Sequence, residues 1–301
     1  MTWWRIRLAV ESWLDQPVST LRIEVARICA PLAILGFMSS RLAHADEWIG
    51  NAGFRVPDLE GDWRQPLFIP ALDSWAAWLV AAVLVASGVA CVLGIKTRWA
   101  ALVFAMCLAF VALSDRLAAY TVSKLSPAVV LAIASGRAGS RFGVDAYFER
   151  KRGEGDPSPT RQPSGAVRFL QVLPVVIYSA SGIAKVRGDW LHDPLVLWSH
   201  IHDSYQTPVS FALGSLLPGW TWTALQVLVL AFEVLAPVWF GFARTRTAAF
   251  VFGVGMHVMI GLMFGPVRWL ALLMITLLVC GYVPDRLLDA LDRTGPAPRE
   301  A

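Results

Sequence analysis

"VRFLQVLPVVIYSASGIAKVRGDW", Val167 to Trp190, decides the fold. Between Arg168 and Lys185 it carries no charge, and its length approaches the roughly twenty residues that a helix needs to cross the hydrocarbon core of a bilayer. It then closes on Lys185 and Arg187. An apolar run with a basic end reads as a membrane span whose lysine marks the surface.

Working outward, runs of the same kind recur along nearly the whole chain. Hydropathy and punctuation give about eight spans: Leu21 to Met38, Ser74 to Leu93, Trp99 to Leu113, Leu117 to Ala134, Val167 to Lys185, Trp222 to Phe242, Thr247 to Phe264 and Val267 to Val283. The third and fourth are interrupted by charges in "LSDRLAAYTVSKLSP", which points to broken or tilted helices packed inside protein. Composition agrees. Of 301 residues, 56% are apolar and only 16% charged, against about 25% charged in a water-soluble domain. The expected fold is all-α, a polytopic membrane bundle of about eight transmembrane helices with interfacial helices beside them.

Three flanking segments complete the organisation. Residues 1–20, "MTWWRIRLAVESWLDQPVST", lack the apolar core of a secretory signal and read as an interfacial helix ahead of the membrane domain, 21–284. Residues 136–166, rich in Gly, Pro, Ser, Lys and Arg, read as the longest flexible linker, and 285–301 as a tail. Counting Lys and Arg puts the linker and both termini in the cytoplasm, with roughly sixteen basic residues inside and about eight outside. The chain is then a multi-pass protein of an inner, plasma-type membrane, and Lys185 ends the fifth span at the outer face. The loop from Asp189 to Trp220 and the loop from Arg41 to Asp73 are expected to lie along the membrane there as a roof.

The net charge of +4 comes from short loops between apolar runs and does not indicate nucleic acid. Four cysteines, Cys29, Cys91, Cys107 and Cys280, form no CxxC pair and read as small buried hydrophobes. His192, His200 and His202 with Asp193 and Asp203 match no metal-binding spacing of high specificity, so no metal is expected.

Ionisable groups within spans are costly and mark candidate sites. Glu233, in "LVLAFEVLAPVWF", must be protonated, paired or facing a polar cavity; a structural hydrogen bond between helices is the plainer alternative. His257, in "FGVGMHVMIGLMFG", is either a bond to a neighbouring helix or a proton carrier. Arg27 lies one turn from Glu24, and either pairs with it at i, i+3 or faces an anion. Lys185 either snorkels to the interface or, desolvated by the bundle beside Arg187, keeps its neutral form populated and acts as a general base. Spacing does not choose between them.

These motifs resemble the HTTM family, the horizontally transferred transmembrane domain that includes the membrane part of vitamin K-dependent gamma-carboxylases. "YSASGIAKVRGDW" is similar to the family signature aromatic-x-x-x-G-[IL]-x-K-[LV]-x-x-D-W, with Gly182, Lys185, Asp189 and Trp190 in register. "RFGVDAYFERKR" resembles its Ser-Leu-Asp-Ala stretch, "FEVLAPVWF" its E-x-x-x-P at Glu233 and Pro237, and "MHVMIGLMFGPVRW" its H-x-x-[IM] and following aromatic at His257 and Trp269.

The resemblance implies that Lys185 is the base that deprotonates reduced vitamin K. In the carboxylases oxygen then adds, and the strong base so formed abstracts a glutamate γ-proton. The chain departs from the carboxylases in having Ser114, Asp115 and Arg116 where they carry an Asn-His pair and Ala184 in place of a second lysine, and recognition of peptides through a large extramembrane docking domain is not expected of it. Together the residues lead to an outward-opening cavity with Lys185, Glu233 and His257 as catalytic groups. Arg27, Asp189, Trp190 and Trp269 would bind a lipid-soluble quinone or quinol, reduced vitamin K among them, and membrane lipids would surround the whole. A non-catalytic module binding lipid, quinone or a protein partner is the alternative.

Overall fold

The computed structural model describes residues 3–53, 69, 71–114, 120–154 and 160–293. Asp115 and Arg116, much of the 41–73 loop and the end of the tail, 294–301, lie outside the described residues. The chain divides into two compact units, Met1–Val167 and Arg168–Ala301.

The first unit contains α1 (Trp3–Leu14), β1 (Pro17–Ser19), α2 (Leu21–Leu42), α3 (Ala45–Trp48), α4 (Ser74–Leu93), α5 (Thr97–Ser114), α6 (Thr121–Ser135), α7 (Val144–Lys151) and β2 (Arg161–Pro163). Opening three residues before the second unit, α8 (Gly165–Arg187) is followed by a 3₁₀ turn (Asp189–Leu191), α9 (Val196–Ile201), α10 (Pro208–Leu216), α11 (Gly219–Val234), α12 (Ala236–Gly241), α13 (Ala243–Met263), α14 (Arg268–Tyr282) and α15 (Asp285–Arg293). Among the described residues the fold is all-α apart from one antiparallel pair of three-residue strands.

The described part of each expected span is largely helical, but the spans are not equivalent. Among the described residues four helices, α4, α5, α8 and α13, are long and apolar enough to cross a membrane alone, and counting the bent pairs α10 with α11 and α14 with α15 as single spans raises this to six. Their outward side chains, such as Leu79, Met106, Val176, Ile183 and Val251, are exposed apolar surface suited to lipid. At 15 residues α6 is shorter. The helix α2 instead buries Arg22, Glu24 and Arg27 near its start, so its first turns belong to the protein interior. The sixth expected span is broken at Leu235, between α11 and α12. Pro237 is the cause: it has no N–H to donate, and its ring crowds the carbonyl four residues back, that of Glu233.

The described residues of the 136–166 segment include regular elements. They hold α7 and β2, and β2 pairs antiparallel with β1, Val18 opposite Gln162. Ser164 Oγ adds a hydrogen bond to the Trp13 carbonyl at 2.8 Å. The turn between α4 and α5 is fixed from the same region. Gly94 takes φ +75°, the left-handed cap that only glycine adopts without strain, and Asp145 Oδ2 accepts the Lys96 N–H at 2.5 Å.

In the second unit the segment after α8 forms the 3₁₀ turn, α9 and α10. A reciprocal Thr207–Ser210 capping box with Pro208 in the first turn starts α10. Ile201, Trp222 and Met263 form a buried cluster that seats this segment on α11 and α13, and Thr207 Oγ1 donates to the Leu262 carbonyl at 2.7 Å. The roof expected beyond Lys185 is thus a set of short helices over the ends of α11 and α13.

Candidate functional site

On α8, Gln171, Tyr178, Gly182 and Lys185 recur at intervals of seven, four and three residues, which places them on one helix face. On α11 the buried polar positions Trp222, Gln226 and Glu233 do the same at four and seven. The two faces meet at Gly182. A Cβ there would lie 2.9 Å from the Val234 nitrogen and 3.0 Å from the Glu233 carbonyl carbon, so only glycine lets the backbones come this close.

Three residues after that contact, one turn on, Lys185 Nζ donates to Glu233 Oε1 at 2.6 Å. The lysine keeps 22% of its side chain exposed and the glutamate 8%, so the pair sits at the edge of the protein interior. Trp190 closes it from one side, with its ring centroid 4.5 Å from Nζ, a cation–π arrangement. Glu233 Oε2 is buried and has no hydrogen-bond partner among the described residues.

A second polar pair lies on the same face of α8. Tyr178 Oη and His257 Nε2 share a hydrogen bond of 2.8 Å. Tyr178 is boxed by Phe232 at 5.2 Å, edge on, by Phe240 at 6.1 Å, stacked, and by the His257 ring at 5.8 Å. His257 Nδ1 is buried without a partner among the described residues, as is Trp222 Nε1. Buried polar atoms are rarely left unbonded, so each such atom asks for water or a ligand.

Gln226 holds this arrangement in place. Its Nε2 donates to the carbonyls of Trp190 and Asp193, each at 2.8 Å, and its Oε1 accepts the Leu197 N–H at 3.0 Å. One buried amide therefore pins the segment that carries Trp190 over Lys185.

The other candidates are placed differently. Asp189 opens the 3₁₀ turn, exposed, with its carbonyl accepting the N–H groups of His192 and Asp193. Trp269, at the start of α14, is stacked under the Arg268 guanidinium at 5.3 Å. Among the described residues neither side chain bonds the Lys185–Glu233 pair or His257. Arg27 belongs to the first unit. Its Nε donates to Glu24 Oε2 at 2.8 Å, and its Nη1 donates to the carbonyls of Cys91, at 3.0 Å, and Val92. Those carbonyls lie in the last turn of α4, where Cys91 also accepts the Gly94 N–H, so Arg27 adds to the cap of that helix while pairing with Glu24 at i, i+3. Glu24 Oε1 in turn accepts the Arg141 N–H at 3.0 Å. His200 and His202 engage Nδ1 with the carbonyls of Val196 and Trp198 one turn back, which ties both rings to α9.

The family model for the HTTM domain matches residues 22–281. The chain belongs to the HTTM family. No curated protein and no solved structure matches it.

In this HTTM chain the signature "YSASGIAKVRGDW" acquires a physical division of labour. Tyr178 reaches His257, Gly182 admits α11, Lys185 meets Glu233, and Trp190 covers the ion pair. Tyr178 and Gln226 were not among the candidates drawn from the sequence. Tyr178 carried a signal, being the aromatic that opens the signature. Gln226 carried a weaker one, a single amide in the apolar run "TALQVLVLAF". Chemically the site offers an amine and a carboxylate that can exchange a proton, a phenol–imidazole pair, and aromatic walls.

Proposed function

We propose that this HTTM protein is a membrane enzyme in which Lys185 serves as general base toward a weakly acidic, lipid-soluble ring of the quinol class, reduced vitamin K included. One observation above all supports the reading: Lys185 Nζ is 2.6 Å from Glu233 Oε1 while Glu233 Oε2 is buried and unbonded among the described residues. A base must lie within hydrogen-bond reach of its proton partner, and this pair does. The residues present have the chemistry for such a ring, because the buried cluster of Tyr178, Phe232 and Phe240 makes the surroundings aromatic while Glu233 Oε2 and His257 Nδ1 offer unused hydrogen-bonding capacity.

A bound quinol supplies acidic hydroxyl protons; the rest falls to this chain. Lys185 takes a proton at Nζ when its own has passed to Glu233, an exchange that the short contact permits. The Trp190 ring then favours the ammonium form and limits access of water. His257, bonded to Tyr178, is the second proton partner. On the Lys and Arg count, the termini and residues 136–166 face the cytoplasm of a plasma-type membrane and Lys185 faces outward.

The same ion pair also supports a non-catalytic reading, a lipid- or quinone-binding module in which Lys185 and Glu233 clasp α8 to α11. One experiment separates the two. The protein is purified in detergent, co-purifying lipids are identified by mass spectrometry, and quinol-dependent oxygen uptake is compared with that of Lys185→Ala. The enzyme reading expects a quinone-class lipid in both preparations and a 10²- to 10⁴-fold loss of uptake, roughly the span of general base catalysis. Ligand without turnover in the wild type favours the module. A quinone-class ligand absent from both preparations overturns the quinol assignment.

A further inference from the structure

The first unit contains a cavity of about 470 Å³ at the turn between α4 and α5 that takes no part in the reading above. Its size falls within the roughly 300–1,000 Å³ of small-molecule sites. Lys96 and Arg98 line it from the turn and the start of α5, and Arg137 from the segment after α6. All three are exposed, and none forms an ion pair with a described residue. Two acids share the wall. Asp145 is held by the Lys96 N–H at 2.5 Å, and with Glu149 it sets two negative charges against the three positive ones.

Several independent features converge on one ligand chemistry. Three cations against two acids leave the wall with a net positive charge, which an anion between the cations would balance. Thr97 and Arg98 line the cavity as the first residues of α5, an 18-residue helix, so the positive end of its dipole is presented there. Depth matters as well. Both α4 and α5 are long and apolar enough to cross a membrane, and the turn joining them therefore lies at the level of the headgroups. Trp99 beside the cavity and Trp75 at the opposite end of α4 are 68% and 71% exposed, as expected of the two aromatic belts.

We infer that the α4–α5 turn holds a phosphate-bearing anion between Lys96, Arg98 and Arg137, which ties the segment after α6 to the turn. At this depth the phosphate belongs either to an anionic phospholipid headgroup or to a soluble phosphate compound, and the chemistry that recognises both is the same.

The test uses the full chain in a neutral detergent and follows thermal unfolding while phosphatidylglycerol, phosphatidylcholine or glycerol 3-phosphate is added. Phosphatidylglycerol should raise the unfolding temperature. Arg98→Gln with Arg137→Gln should raise its half-saturating concentration about 25-fold, roughly fivefold for each cation removed near a membrane surface. Lys124→Gln, an exposed lysine on α6 outside the cavity, should leave it within twofold. Glu149→Gln should lower it, which keeps the inference testable if the double variant does not fold. A shift with phosphatidylglycerol alone assigns the lipid; a shift with glycerol 3-phosphate that depends on the same arginines assigns the soluble compound. Equal responses of the arginine variant and Lys124→Gln, or stabilisation by neither phosphate, would overturn the site.

Discussion

Replacing Lys185 by methionine keeps the length of the side chain and removes its charge, which strands Glu233. The carboxylate would lose its single hydrogen-bond partner at Oε1, and Oε2 already has none among the described residues. Breaking a buried pair by removing one member costs about 3–5 kcal/mol. There is a ceiling, because a lone carboxyl can take a proton; for an ordinary glutamate at pH 7 that costs about 4 kcal/mol. Lys185 keeps 22% exposure, so the lower end applies, about 3 kcal/mol. On the scaling of roughly 2–4 °C per kcal/mol, the unfolding temperature should fall by about 6–12 °C. Glu233→Leu strands a lysine that can reach water, and should cost only about 1 kcal/mol. The double variant replaces both charges by apolar side chains and should unfold within about 1 kcal/mol of the wild type. The cycle, measured by tryptophan fluorescence in nanodiscs, should therefore give a coupling of about 3–5 kcal/mol. Additivity of the two single changes within about 0.5 kcal/mol would refute the pair as an energetic unit.

Other contacts make separate predictions. Gly182→Ala forces a Cβ against the α11 backbone, where no side chain can yield, and should destabilise by about 1–3 kcal/mol; Ser181→Ala, its neighbour, should not, and equal melting of the two would sink the close-approach argument. Tyr178→Phe leaves His257 without a hydrogen-bond partner among the described residues at either nitrogen, at about 1–3 kcal/mol, and should be read against Phe232→Leu, which keeps the bond. Arg27→Met removes the side-chain cap of α4 and leaves buried Glu24 with the Arg141 N–H but without its cation, with an expected loss of about 3 kcal/mol; the control Arg27→Met/Glu24→Leu should recover part of it. Urea or SDS titration of each variant checks these values.

What the sequence displayed and what it concealed follow a physical line. The eight apolar runs were legible because lipid-facing helices need apolar length, and length survives in one dimension. Glu233 and Lys185 were both conspicuous as charges at the edge of or within apolar helices, yet their union was not, since they are 48 residues apart and meet only because Gly182 lets α8 touch α11. The break after Glu233 was written in Pro237, but reading hydropathy alone carried the span across it. Arg27 showed its near partner, Glu24, three residues away; the carbonyls of Cys91 and Val92 lie 64 and 65 residues on and depend on where α4 ends. In residues 136–166 a composition rich in Gly, Pro and charge concealed a helix and a strand, because β2 exists only through its pairing with β1.

That strand pairing also sets a clock. The residues it joins, around Pro17 and Arg161, stand 144 positions apart in the chain, and at roughly 5–20 residues per second of synthesis the ribosome needs about 7–30 s between them. During that interval α2, α4, α5 and α6 have already been made, and the partners of Arg27 and Glu24, the end of α4 and the Arg141 N–H, precede β2 in the chain. The charged start of α2 can therefore be buried while the peptide is still short of α8, and the strand pair is the last contact to close over it.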